Sequence, residues 1–122
     1  MKTVTRVCVA YVAGSMINKK SYASLIDHSE QKSIKMSGRI DFNNIDVQIE
    51  DDGSKIVGTV KGNEASFFHS VEMSAVKMKI EGSNFKGNDR GSGKDFMGSV
   101  NGNAVKIYDY GEYQNYFFAL GD

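Results

Sequence analysis

Apolar and polar residues alternate along most of the chain, and the alternation repeats every twenty residues. The repeat is clearest in segments 58–70 and 98–110, which both begin Gly-x-Val-x-Gly-Asn and continue with an apolar residue at every second position. Alternation with a period of two is typical of a strand that buries one face. Twenty residues is the length of two short strands and two turns. The pattern therefore predicts a series of β-hairpins.

Four hairpins are predicted, with turns at 41–42, 61–62, 81–82 and 101–102. A two-residue turn at 101–102 places Gly98 opposite Val105 and Phe96 opposite Ile107, and opposed residues share one face of a sheet. The same register collects the apolar residues of every hairpin on one side. A slip of one residue would turn that set towards solvent, so the four hairpins support each other.

The remaining segments complete the fold prediction. Residues 3–13 are rich in Val and are interpreted as a strand, and residues 113–120 supply the last strand of the meander. After the first of these strands, Tyr22, Leu25 and Ile26 fall at helical spacing, which predicts a short helix near residues 19–30, with an extra strand as the alternative. The expected fold is one all-β, mainly antiparallel domain over residues 1–122.

We expect this domain to be an up-and-down meander of about nine to ten strands. An open sheet of that size would leave two edges and one apolar face exposed. Either a closed barrel or a two-sheet sandwich solves that problem. The recurrence of Gly38, Gly58 and Gly98 at inward positions favours a curled sheet. In architecture the meander resembles the avidin and calycin barrels. The chain has no Trp and no lipocalin Gly-x-Trp signature, so the resemblance ends there.

Composition and charge exclude several functional classes. The formal net charge is zero, and the basic residues are scattered among acidic ones, whereas nucleic-acid binding usually requires a basic patch. The single cysteine, Cys8, has no partner for a disulfide within the chain. No apolar stretch reaches transmembrane length. We expect neither nucleic acid nor a membrane as partner, and a cytoplasmic location, with a cleaved N-terminal leader as the alternative.

Residues that could carry chemistry show no familiar arrangement. His28 and His69 are expected at the surface, because neither stands at metal-ligand spacing from a Cys or a second His. The glycine-rich segment 86–94 lacks the strand–loop–helix context of a phosphate-binding loop. Its basic residues remain candidates for a binding loop: Lys86, Arg90 and Lys94. We predict no metal, no cofactor and no enzymatic activity.

Aromatic residues are the most informative candidates for function. Phe118 points inward by parity, so Phe117 and Tyr108 point outward, and clusters of exposed aromatic residues are common at protein interfaces. The predicted partner-binding residues are Phe68, Tyr108, Tyr110, Tyr113 and Phe117. The chain is thus expected to be a non-catalytic module, such as a small inhibitor, immunity or accessory protein, that binds another protein or a second copy of itself. The alternative is a barrel that holds a small apolar ligand.

Overall fold

The structure, a computed structural model, describes residues 1–41, 43–73 and 75–122, which form one helix and ten strands. In chain order these are α1 (Thr3–Asn18), β1 (Ser24–Asp27), β2 (Lys32–Ile40), β3 (Asn44–Ile49), β4 (Lys55–Lys61), β5 (Glu64–His69), β6 (Ala75–Glu81), β7 (Asn84–Asp89), β8 (Lys94–Asn101), β9 (Ala104–Asp109) and β10 (Gln114–Gly121). Each strand pairs antiparallel with the next, and β1 also pairs with β10. The result is a closed barrel, which confirms the all-β meander and selects the barrel over the sandwich.

Side chains alternate between the barrel interior and its outer surface as predicted. The inward residues Val60, Val100 and Ile107 are buried, and Ile80 is partly buried. The neighbouring outward lysines are exposed: Lys61, Lys79 and Lys106. Because the pleat sends successive side chains to opposite faces, this agreement confirms which face of each hairpin is apolar.

Three of the hairpin turns lie one residue later than predicted, at 62–63, 82–83 and 102–103. Glycine takes the first turn position, with φ angles of 61°, 64° and 60°. Positive φ at the first position only is the type II′ arrangement, whereas the prediction had placed glycine second. The shift moves each register by two residues, so that Gly98 opposes Ile107 rather than Val105, and every side chain keeps its predicted face. In the first hairpin Ile40 pairs with Ile45. The predicted turn at 41–42 includes Phe42, which lies outside the described residues.

Helix α1 fills the interior of the barrel, so the interpretation of residues 3–13 as a strand was wrong. Residues 9–13 have no exposed surface, and α1 contacts strands around the ring, including β1, β5, β8 and β10. A helix that is apolar around its whole circumference is suited to burial on all sides. Gly14 lets the helix approach the wall closely, because a Cβ there would meet the side chains of Leu120 and Val105.

The predicted helix near residues 19–30 is also wrong, since that region contains the short strand β1. Leu25 is completely buried, while Ile26 is 42% exposed, which is strand alternation. β1 pairs with both β2 and β10 and closes the ring. The four backbone positions of β1 gain hydrogen-bond partners on both sides, and this tertiary pairing outweighs the helical spacing of the side chains.

Glycine at an inward strand position leaves space for an aromatic ring of the core. Gly98 opposes Ile107 across β8 and β9. A Cβ at this position would lie 2.8 Å from Cε2 of Phe85, so the absent side chain makes room for that ring. Phe85 also packs against Phe96, with ring centroids 6.3 Å apart. The close approach explains why glycine recurs at an inward position despite its cost in a strand.

Candidate functional site

The outer wall of β8, β9 and β10 carries a group of large apolar side chains, which we call the aromatic outer surface: Met97, Tyr108, Tyr110 and Phe117. Met97 is 48% exposed, Tyr110 43% and Phe117 51%, while Tyr108 is partly covered. Three of these four residues were predicted as partner-binding residues. Met97, the fourth, is not among the predicted partner-binding residues.

Direct contacts hold part of this surface in a fixed arrangement. Met97 and Tyr108 are cross-strand partners in β8 and β9. The Tyr108 and Tyr110 rings meet edge to face, with centroids 4.8 Å apart and planes at 77°. The Tyr110 hydroxyl donates a hydrogen bond to Met97 Sδ over 3.1 Å. These contacts reduce the side-chain freedom that a binding event would otherwise remove.

Two depressions flank these side chains. A groove of about 600 Å³ runs across the outer faces of β5 to β8, with Tyr110 and Met97 on one side and Lys77 and Glu64 on the other. A second depression of about 360 Å³ lies beside Phe117 and includes His28. The aromatic outer surface is therefore uneven and is bordered by charges of both signs.

The structure does not bring all predicted partner-binding residues together. Phe68 lies on β5, opposite Val57 and Ala75 on the adjacent strands, and is partly covered. Three strands separate β5 from β9 along the ring. Tyr113 is 78% exposed but belongs to the β9–β10 turn, where it has a φ of 53°. Phe68 is thus remote from the aromatic outer surface, and Tyr113 lies at its end.

The three basic candidates do not form a single loop. Lys86 lies within β7 and forms an ion pair with Glu81 at 3.5 Å. Only residues 90–93 connect β7 to β8, so the predicted loop over 86–94 is much shorter than expected. Arg90 is exposed in that connection, and Lys94 begins β8. The strand assignment follows from pairing of Asp89 with Lys94, which extends the ladder almost to the turn.

Buried polar side chains gather at one end of the barrel, opposite the end that carries the glycine turns. We call the end with the buried polar side chains the loop end. Several odd-numbered strands finish on an inward polar residue that is at most 4% exposed: Asp27, His69, Asp89 and Asp109. The expectation of a surface position for His69 is therefore wrong. Each of these side chains accepts a backbone N–H from the following loop. Positions 69, 89 and 109 share the twenty-residue period, a signal that the sequence already contained.

Asp52, Ser54 and His69 form a hydrogen-bonded chain that resembles a catalytic triad only in composition. His69 Nδ1 accepts the N–H groups of Val71 and Glu72 at 3.3 and 3.1 Å, so the ring proton resides on Nε2. That proton is directed at Ser54 Oγ, 2.9 Å away. Ser54 in turn donates to Asp52 Oδ1 at 2.5 Å, and this bond lowers the pKa of Asp52.

A serine nucleophile must instead pass its proton to the histidine. In this chain the hydrogen bonds run the opposite way, because the histidine donates to the serine. Ser54 and His69 are each 4% exposed, which also keeps the hydroxyl from a substrate. The arrangement joins the β3–β4 and β5–β6 connections and provides no activated nucleophile.

Asp109 is the centre of a buried charge cluster where the N-terminal end of α1 meets the barrel wall. Its Oδ2 lies 2.8 Å from the Met1 ammonium and 3.4 Å from Arg6 Nη1. The Arg6 guanidinium also lies 3.8 Å above the Tyr116 ring. Burial raises the pKa of Asp109, but the hydrogen bonds from the ammonium and from the Gly111 N–H, with the charge of Arg6, outweigh burial and lower it overall.

The described residues provide neither a reactive thiol in the barrel interior nor a metal site. Burial raises the pKa of Cys8 to about 12, so its thiol is protonated at neutral pH and is a poor nucleophile. Within the described ranges, no three His, Cys, Asp or Glu side chains are grouped as a metal site would require. Within the same ranges, no helix has the length and apolar character needed to span a membrane.

Comparisons with known proteins add no assignment. No protein-family model matches the chain, and neither the curated proteins nor the solved structures give a significant match.

Proposed function

We propose that this chain is a non-catalytic binding domain that docks another protein through the aromatic outer surface. The observation that carries the proposal is the exposure of Met97 on β8, Tyr110 in the β9–β10 connection and Phe117 on β10, each between 43% and 51%. Methionine and aromatic residues are enriched at protein interfaces. Covering these side chains would remove apolar area from water, at roughly 25 cal/mol for each Å² buried.

The barrel architecture determines how such a partner would be held. Because β1 pairs with β10, the ring of strands that the structure describes has no free edge, and a partner would be recognised through side chains rather than by strand addition. The charged residues beside the groove, which include Lys77, Lys86 and Asp95, provide a polar rim around the apolar centre. A small inhibitor, immunity or accessory protein works in this way, with a rigid scaffold that presents a preformed surface.

The alternative function, an apolar ligand held inside the barrel, gains no support from the interior. Helix α1 occupies the space that such a ligand would need, and residues 9–13 are completely covered. A ligand could enter only if the helix left. That step would expose the inward residues of the barrel, among them Phe85 and Phe118. Recognition at the outer surface requires no such rearrangement.

A triple serine substitution at Met97, Tyr110 and Phe117 tests the proposal. A partner is first isolated by crosslinking to the wild-type chain, and a second copy of the chain is tested in parallel by analytical ultracentrifugation. We expect the triple variant to bind at least about 100-fold more weakly, because central interface residues commonly contribute 2 kcal/mol or more each. The free energy of unfolding should change by less than about 1 kcal/mol, since surface substitutions are usually mild.

The matched control is a double serine substitution at Val71 and Met73. These residues are 69% and 66% exposed and lie in the β5–β6 connection, away from the aromatic outer surface. The control variant should bind the partner as the wild type does. If the triple variant retains full affinity, or if both variants lose it equally, the docking surface lies elsewhere.

A further inference from the structure

The groove beside the aromatic outer surface, about 600 Å³ in volume, contains three lysines that we call the basic centre: Lys77, Lys79 and Lys86. Lys77 and Lys79 lie on the outer face of β6, and Lys86 lies on the outer face of β7. Lys79 and Lys86 are direct cross-strand partners. Like charges placed directly opposite each other in an antiparallel pair are destabilising. An anionic group held between these two lysines would therefore relieve an existing repulsion.

The carboxylates of the chain neutralise the basic centre only in part. Lys86 Nζ lies 3.5 Å from Glu81 Oε1, but both side chains are more than half exposed, and exposed ion pairs are weak. Among the described residues, Lys77 and Lys79 form no ion pair. Two ammonium groups of the groove are therefore available to a ligand.

Two acidic residues border the basic centre and restrict the kind of anion that it could accept. Glu64 lies on β5 opposite Lys79, and Asp95 lies on β8, where its Oδ1 accepts a hydrogen bond from the Asn88 amide at 2.9 Å. Both belong to the lining of the groove. Nucleic acids bind in grooves whose positive charge follows the phosphate backbone, and these carboxylates interrupt such a path. The arrangement favours an isolated carboxylate over a polyanion.

An apolar wall adjoins the basic centre on the side of β8. Met97 is the cross-strand partner of Lys86, and the Cβ atoms of such partners are roughly 5 Å apart. The Tyr110 hydroxyl donates a hydrogen bond to Met97 Sδ over 3.1 Å, while Met97 and Tyr110 remain 48% and 43% exposed. A carboxylate above Lys86 would therefore have an apolar surface directly beside it.

We propose that the groove receives a short acidic segment of the partner protein. One carboxylate side chain of this segment lies between the three lysines of the basic centre, and a neighbouring apolar side chain packs against Met97 and Tyr110. This inference rests on the proposed docking function and specifies the chemistry of the partner. Complementary charges of this kind raise the association rate and select among partners, whereas the apolar contact removes hydrophobic area from water.

Selection from a library of random dodecapeptides, displayed on phage and captured by the full-length protein, tests the chemistry of the ligand. We expect the selected peptides to be enriched in Asp or Glu next to an aromatic or aliphatic residue. Replacing the acidic residues of the leading peptide with Asn or Gln should weaken its binding at least about tenfold, measured by fluorescence anisotropy. Selected peptides that lack acidic residues, or a failure to select any peptide, would overturn the proposal.

Two other occupants of the groove are tested with the same protein. A single-stranded oligonucleotide of mixed sequence should not compete with the leading peptide, and any self-association of the protein should not depend on the basic centre. Competition by the oligonucleotide would indicate a nucleic-acid site, and self-association that is lost on substitution of the lysines would indicate a second copy of the chain. Either result would overturn the proposal.

A triple glutamine substitution in the basic centre, Lys77→Gln, Lys79→Gln and Lys86→Gln, should weaken binding of the leading peptide at least about tenfold. The matched control substitutes three exposed lysines that lie outside the groove, in the α1–β1 connection and in β2: Lys19, Lys32 and Lys35. The control variant should keep the affinity of the wild type. Equal affinity of the two variants for the peptide would overturn the proposal.

The serine variant of Met97, Tyr110 and Phe117 separates this inference from the proposed function. If the serine variant loses the leading peptide while the glutamine variant retains it, the docking surface stands and the acidic segment is wrong. If the glutamine variant loses the peptide while the serine variant retains it, the docking surface and the apolar contact proposed here are both wrong.

Discussion

Replacing Phe118 with alanine is expected to destabilise the protein by about 3–5 kcal/mol, the usual cost of removing a large side chain from a packed core. Phe118 is 1% exposed and points from β10 towards the barrel interior. Its neighbour Phe117 points outward and is 51% exposed. Phe117→Ala removes the same atoms one position away, so it is the matched control and should cost less than about 1 kcal/mol.

Urea unfolding of both variants, followed by circular dichroism, measures this difference directly. The unfolding midpoint should fall strongly for Phe118→Ala and only slightly for Phe117→Ala. Equal losses would mean that the two faces of β10 are not divided between core and solvent. Phe117→Ala should also weaken partner binding, because Phe117 belongs to the aromatic outer surface. Substitution of Phe118 is therefore expected to lower stability, whereas substitution of Phe117 is expected to weaken partner binding.

The second large effect is expected from Asp109→Asn, which leaves the Arg6 guanidinium and the Met1 ammonium without their buried counter-charge. Removing one partner of a buried ion pair typically costs about 3–5 kcal/mol. Asp89→Asn is the control, because both variants keep an oxygen that can accept the loop N–H, and Asp89 binds a hydroxyl rather than a cation at Oδ2. Thermal unfolding should show a large loss for Asp109→Asn and a small one for Asp89→Asn.

The charge cluster around Asp109 also predicts that the protein becomes less stable as the pH is lowered. The pKa of Asp109 is lower in the folded state than in the unfolded chain, where an aspartate titrates near 4. Its ionised form therefore stabilises the protein fully above about pH 4. This contribution is lost as the pH falls below that value through the folded pKa, and Asp109→Asn should remove that part of the acid sensitivity. An unchanged acid-unfolding profile in Asp109→Asn would contradict the assignment.

The meander could be predicted from the sequence because the pleat of a strand produces a regular alternation of apolar and polar residues along the chain. Inward and outward positions alternate strictly, so residues such as Val100 and Lys106 identify their faces without any knowledge of the rest of the fold. The sequence did not fix the turn positions, because Gly102 both follows Asn101 and precedes Asn103. Both pairings are favourable hairpin turns, and they differ in register by two residues, which preserves parity.

Helix α1 could not be predicted in the same way. Inside a closed barrel a helix is buried around its whole circumference, so it shows neither the period of a strand nor that of an amphipathic helix. Its valines favour a strand by local propensity. The need to fill the interior outweighs that propensity, and it exists only once the ring has closed. The same closure recruits residues 24–27 as a strand between β2 and β10.

The candidate sites were predictable only in part. Parity placed Tyr108 and Phe117 on the outer face correctly, but it could not show that Phe68 lies on a distant part of the ring, since strand order around a barrel is a tertiary property. The polar residues of the loop end were overlooked because an inward aspartate contradicts the alternation rule. Their regular spacing at 69, 89 and 109 marks the point where each strand meets its loop and a side chain must satisfy the loop backbone.

The reactivity of Cys8 tests most directly whether α1 lies inside the barrel. Cys8 is the one cysteine of the chain, it lies in α1 and it is 1% exposed, so a thiol reagent reports on the helix alone. With a neutral aromatic disulfide reagent at pH 8, the native protein should react at least about a thousandfold more slowly than the urea-unfolded chain, because access requires rare opening of the barrel. A native thiol that reacts within a few-fold of the unfolded rate would instead place α1 outside the barrel.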